Sequence, residues 1–255
     1  MNKFVFYFIG LSLFFIFGTV VKAVQDESLI LYFMFDEEKG EKVTDLSLHG
    51  NDGEIKGKPK IIEGKEGQAL EFTSPSDYVE VPHSESLNIT EEITIAIWVK
   101  WNGGRSATLS KVYTYWLGPN TDIEYAYQKG GNNVLVHSGK DLPMNEWYHI
   151  AVTQDASGKI LMYINGEQFY DDKQGMPRDS SVEPLTIAKE SWGTPAFNGG
   201  VDEVRIYKRV LSDKEIAKIM VTFGVKGVES KSKLAITWGS IKAEFSSNKV
   251  WRNSL

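Results

Sequence analysis

The sequence predicts an all-β fold, two packed antiparallel sheets with one short C-terminal helix. Three observations carry this reading. Short runs rich in Val, Ile, Tyr, Phe, Trp and Thr recur along the chain between Gly, Asn, Asp and Pro, and helical periodicity is nearly absent. Asn165-Gly166 lies between Tyr163-Ile164 and Glu167-Gln168, the residue pair favoured in type I′ hairpins because it matches the strand twist. One amphipathic stripe, Ile216, Ile219 and Met220, falls at helical spacing after Ser212 and Glu215, which form a capping-box pair.

Taken in order, strands are expected at Leu29–Asp36, Asp52–Lys56, Gln68–Phe72, Tyr78–Val81, Ile93–Trp101, Thr108–Val112, Tyr115–Leu117, Ile123–Tyr127 and Asn133–His137. They continue at Trp147–Gln154, Lys159–Ile164, Gln168–Tyr170, Glu183–Ala188 and Val201–Tyr207. Asp155-Ala156-Ser157-Gly158 suits a type I turn closed by a left-handed glycine, so Trp147 to Tyr170 reads as a three-stranded meander. The helix spans 212–221 and stops before Gly224; it is expected to pack on the sandwich. So many short strands imply a two-sheet sandwich rather than a single open sheet.

The 255 residues divide into three segments. In residues 1–23, Lys3 precedes an apolar run from Phe4 to Val21, and Val21-Lys22-Ala23 resembles an export-peptidase site. This reads as a secretory signal, with an uncleaved membrane anchor as the alternative, since the run reaches the short limit of a spanning helix. Residues 24–224 form the folded domain. Residues 225–255 carry six Lys or Arg against two Glu and form a basic tail. Removing Lys3 and Lys22 leaves 26 basic against 34 acidic residues, so the exported chain is acidic, which argues against a nucleic-acid partner. The expected location is secreted or in the cell envelope.

The absence of cysteine excludes disulfide scaffolds, thiolate metal sites and cysteine nucleophiles. There is no zinc-protease helix, nucleophile elbow or P-loop, and His49, His83, His137 and His149 lie in unrelated contexts and read as structural, so no catalytic residue is assigned. A sandwich can carry a glycosidase pair. Asp122-Ile123-Glu124 comes closest, with two acids on one face about 7 Å apart, but its ordinary reading is a solvated strand end.

Aromatic residues are more informative. Tyr113, Trp116, Tyr125 and Tyr127 fall in consecutive short strands, and Trp192 lies in the loop Ser191-Trp192-Gly193-Thr194-Pro195. Flat rings near amides and carboxylates suit sugar stacking, so these five are the candidate ligand-binding residues, with core packing as the alternative. Asp36, Asp45, Asn51, Asp52 and Asp202 sit near strand ends and offer oxygen ligands for a metal such as Ca²⁺; turn and cap hydrogen bonding is the ordinary use of such residues.

Several ordered blocks carry a family resemblance. These are Phe35-Asp36-Glu37, residues 45–53, Gly67-Gln68-Ala69-Leu70-Glu71-Phe72, Asp77-Tyr78-Val79-Glu80-Val81, residues 93–99, Trp147-Tyr148-His149-Ile150-Ala151-Val152, Tyr163-Ile164-Asn165-Gly166 and residues 199–207. Over residues 28–221 the chain resembles the LamG-like jelly-roll domain of the concanavalin A-like lectin/glucanase superfamily. The resemblance implies a jelly-roll sandwich, a Ca²⁺ at the rim, and a binding role towards glycans or other extracellular proteins. It points to Asp36, Asn51 and Asp202 as metal ligands. The Glu-x-Asp-x-x-Glu strand of the superfamily's glycosidases is missing, which argues against an enzyme. A surface adhesion module, or a glycoside hydrolase with an unrecognised acid pair, are the other function classes, because fold alone does not specify function.

Overall fold

The computed structural model describes residues 26–36, 40–104, 107–189 and 196–223. The expected secretory signal, Trp192 and the expected basic tail lie outside the described residues. In chain order the strands are β1 (Leu29–Phe33), β2 (Lys42–Val43), β3 (Gly53–Lys56), β4 (Lys60–Glu63), β5 (Gln68–Phe72), β6 (Tyr78–Val81), β7 (Ile93–Trp101) and β8 (Leu109–Lys111). Then follow β9 (Tyr115–Asn120), β10 (Asp122–Lys129), β11 (Asn132–His137), β12 (Trp147–Gln154), β13 (Lys159–Ile164), β14 (Glu167–Lys173), β15 (Leu185–Ile187), β16 (Gly199–Tyr207) and helix α1 (Asp213–Val221).

Two eight-stranded antiparallel sheets result. The first runs β14-β13-β12-β7-β16-β5-β4, with β1 pairing the far half of β16; the second runs β11-β10-β9-β8-β15-β6-β3-β2. All fourteen expected strands are present and β12, β13 and β14 form the expected meander. Sequence reading missed β2, which is two residues long, and β4, whose Lys-Ile-Ile-Glu sits largely exposed at a sheet edge. It also carried β1 too far: Phe35 turns to a φ of 59° and takes Asp36 out of the ladder.

Alternation decides the core. Val99, Ile97, Ile95, Ile150, Val152, Val201 and Ile206 of the first sheet meet Leu109, Leu117, Ile123, Tyr125, Val79 and Ile187 of the second, all fully buried. A second cluster lies outside the first sheet, where Ile216 of α1 is buried against Ala96, Ala151, Tyr163, Tyr207 and Leu211. As expected, the Glu215 carboxylate accepts from both the backbone N–H and the hydroxyl of Ser212, at 2.8 Å each. The far end of α1 is tied down by Arg205, which donates to the carbonyls of Ile219 and Thr222 at 2.7 Å each, and by the Trp98 indole, which donates to Met220 at 3.3 Å.

Candidate functional site

Strand alternation sorts the aromatic candidates. On β9 and β10 the residues Tyr115, Leu117, Ile123, Tyr125 and Tyr127 point into the sandwich, whereas Trp116, Gly118, Asn120, Asp122, Glu124 and Ala126 share the outer face. Tyr125 and Tyr127 are therefore core residues and not a stacking surface. Their hydroxyls donate to Gln154 Oε1 at 2.8 Å and to the Gly175 carbonyl at 2.7 Å. Burial pushes the Tyr125 phenol up to about 12 and raises that of Tyr127. Trp116 is corrected too: although on the outer face, it is covered and packs with Ala107 and Ala126.

Tyr113 is exposed. Half of its surface is open to solvent, and its φ of 66° is one that bulky side chains seldom adopt. The surrounding bonds hold that conformation. Thr114 N–H closes the turn on the Lys111 carbonyl at 2.9 Å, and the Ser181 hydroxyl donates to the Val112 carbonyl at 2.6 Å. Ser181 N–H donates to Asn88 Oδ1 at 3.1 Å, which ties the turn to the 3₁₀ segment Glu85–Leu87 and its neighbours. Val182, next along, is 77% exposed.

Polar groups cluster about Lys111, two residues before Tyr113. The buried Lys111 ammonium donates to the Glu183 carbonyl at 2.5 Å and meets His83 Nδ1 at 3.3 Å, and His83 Nε2 lies 3.2 Å from Glu85 Oε1. Desolvation holds Lys111 down to about 8, although Glu183 and Glu85 favour its charge. Glu85 and Asn88 also line a cleft of about 380 Å³ together with Ser86, Thr90, Glu92 and Lys208. The exposed ring offers an apolar face, and the cleft, tied to its turn through Ser181, offers carboxylate, amide and hydroxyl groups.

The metal candidates divide. Asp36 Oδ1 accepts from Gln68 N–H at 2.8 Å, and Asp202 Oδ2 accepts from Lys65 N–H at 2.8 Å and Glu66 N–H at 3.4 Å. Both carboxylates thus close on the turn between β4 and β5. A glycine is required there, since a Cβ at Gly67 would lie 1.9 Å from Asp36 Oδ1 and its φ is 56°. A register shift at Glu203, whose φ is 52°, sits next to Asp202 in β16. Burial raises the Asp202 carboxyl to about 7, with the Glu203 charge adding to the effect. Asn51 is used elsewhere: its amide donates to the Ile30 carbonyl at 2.8 Å and to Ser86 at 2.9 Å. Among the described residues, no hydrogen bond joins Asn51 to Asp36 or Asp202.

Asp122 and Glu124 align on one outer face as their spacing requires, but neither is a solvated strand end. Both are buried, Glu124 completely.

Two eight-stranded antiparallel sheets packed face to face form a jelly-roll sandwich, a lectin-like fold. Residues 72–217 match the family model Laminin_G_3, described as the Concanavalin A-like lectin/glucanases superfamily, and the chain belongs to that family. A botulinum-like toxin, eBoNT/J, from Enterococcus sp. (strain 3G1_DIV0629) is 22% identical over 200 residues, covering 70% of this chain; the chain spans 16% of that relative's length. Among solved structures, the binding domain of Paraclostridial Mosquitocidal Protein 1 superposes with a TM-score of 0.64 at 16% identity, over 76% of this chain and 52% of its own. Domain 4 of AbnA, an extracellular arabinanase of Geobacillus stearothermophilus solved with arabinotriose, has a TM-score of 0.62 at 19% identity, over 76% of this chain and 98% of its own. These likenesses establish the fold.

Proposed function

We propose that this domain is an exported, non-catalytic module that binds glycans at the Tyr113 rim. The observation that carries this reading is the exposed, backbone-strained Tyr113, whose turn is tied through Ser181 to Asn88 of the cleft, because strain of this kind persists where the surroundings over-determine it and clusters at ligand sites. The oligosaccharide bound to the arabinanase domain, which shares the fold over almost its whole length, supports a sugar as the ligand class. Export rests on the leader-like segment ending at Ala23; no helix among the described residues is long and apolar enough to cross a membrane. Ca²⁺ at the rim of the first sheet would be held by Asp36 and Asp202, where it would join the end of β1, β16 and the β4–β5 turn.

A second reading, an extracellular protein as partner, draws on the exposure of Val182 and of Tyr113, which follow Ser181 and Val112, the two residues joined by a hydrogen bond. A glycan array followed by titration of wild type and Tyr113→Gly separates the two. Glycan binding that disappears in the variant supports the first reading; a wild type that retains no glycan leaves the protein partner as the better account.

A further inference from the structure

Antiparallel pairing sets His137 of β11 directly opposite Glu124 of β10, and alternation places Asp122 beside Glu124 on the same outer face. His137 Nδ1 lies 3.5 Å from an oxygen of Asp122 and 3.5 Å from an oxygen of Glu124. One ligand atom from each of the three residues falls within 4.8 Å of the others. From this arrangement we infer a site for one divalent transition-metal ion, with zinc the best fit, built by Asp122, Glu124 and His137 on the outer face of the second sheet.

Distances and chemistry agree on the ion. Ligands about 2.1 Å from a tetrahedral zinc stand roughly 3.4 Å apart, close to the two imidazole–carboxylate separations here. A charge-assisted hydrogen bond would instead bring nitrogen and oxygen to about 2.7–2.9 Å. Calcium takes oxygen donors alone, whereas one imidazole with two carboxylates matches the three protein ligands of open zinc sites. Outer partners orient the carboxylates: Gly139 N–H donates to Asp122 Oδ2 at 2.7 Å, and the Asn120 amide donates to Glu124 Oε1 at 2.5 Å. His137 is half exposed while both acids are buried, so an ion reaches the site past the imidazole.

A second observation lies at the start of the strand that pairs with β9. Gly118 is paired with Glu124, and Thr108, whose N–H bonds the Leu117 carbonyl, immediately precedes Leu109, the partner of Leu117. Thr108 is completely buried and its hydroxyl has no hydrogen-bond partner among the described residues.

The test is calorimetric titration of the untagged full chain with zinc chloride, with calcium chloride in parallel. One zinc per chain is expected, with affinity weakened at least about tenfold in His137→Ala and in Glu124→Gln, and calcium heats unchanged by either substitution. Because His137 is half exposed, His137→Ala should keep the wild-type melting temperature, so its loss of binding is not unfolding. Cobalt(II) supplies a second readout: intense tetrahedral visible bands in the wild type, absent in His137→Ala. Equal zinc affinity in wild type and both variants, or no zinc binding at about 0.1 mM metal, overturns the site. The inference is independent of glycan binding, and Tyr113→Gly should leave the zinc titration unchanged.

Discussion

Tyr113 and Tyr125 are the same residue type twelve positions apart, and the fold uses them oppositely: one ring is half exposed in a strained turn and the other is completely buried. The choice of aromatic residues was legible in the sequence, but which of them face solvent was not, because a one-residue change of register exchanges the two faces of a strand. A left-handed backbone costs a non-glycine residue about 1–3 kcal/mol, while glycine adds unfolded-state entropy of roughly 0.5–1 kcal/mol, so the two effects of Tyr113→Gly oppose each other. The variant should lose glycan binding with its unfolding free energy in urea within about 1 kcal/mol of wild type. Lys111 makes a separate prediction. Its ammonium is held down to about 8 in the folded chain by burial, against an ordinary value of 10.5. Between those values the unfolded chain carries the proton and the folded chain has lost it, so this residue makes stability rise with pH. Urea unfolding at several pH values across that window should show wild type gaining stability relative to Lys111→Met, and a constant difference would refute the assignment.

Helix α1 shows how far local signals reach at the level of an element. Its capping box, start and apolar stripe are all sequence-local, and each appears in the structure. What lies beneath it was not legible, since Ala96, Ala151, Tyr163 and Tyr207 come from four different strands that only the sheet order brings together. The same holds for His137, which reads as an isolated histidine until the β10–β11 pairing puts it opposite Glu124. Strand β4 was missed for another reason: an exposed edge strand has no buried face to impose alternation on its sequence. Ile216 is the only residue of α1 that is fully buried. Truncation by Ile216→Ala should cost about 2–5 kcal/mol, the usual range for a buried isoleucine that leaves a cavity. Loosening of α1 would also expose Trp98, whose indole bonds the Met220 carbonyl, so a red shift of tryptophan emission should accompany the loss. An Ile216→Ala protein with wild-type stability and emission would show that α1 contributes little to the sandwich.

For the molecule as a whole, the sandwich closes where its ends meet. β1 and β16 pair along the first sheet, Asp36 leaves β1, Asp202 leaves the register of β16, and both hold the β4–β5 turn. The proposed Ca²⁺ would add charge compensation at this junction, where Asp202 is buried beside Glu203 and the charges of Asp36 and Glu66 also bear on Glu203. An ion bound only by the folded state stabilises by mass action, about 2.7 kcal/mol at one hundred times its dissociation constant, which for a domain of this size corresponds to roughly 5–10 °C in melting temperature. Chelation should therefore lower the melting temperature of the wild type, and adding calcium chloride back should restore it. Asp202→Asn keeps an oxygen to accept from Lys65 and Glu66 but removes the charge, so it should fold and yet show no restoration by calcium. His137→Ala separates this effect from zinc, because its calcium-dependent restoration should match that of the wild type. A melting temperature indifferent to calcium in the wild type, or restored equally in Asp202→Asn, would leave the junction held by its hydrogen bonds alone.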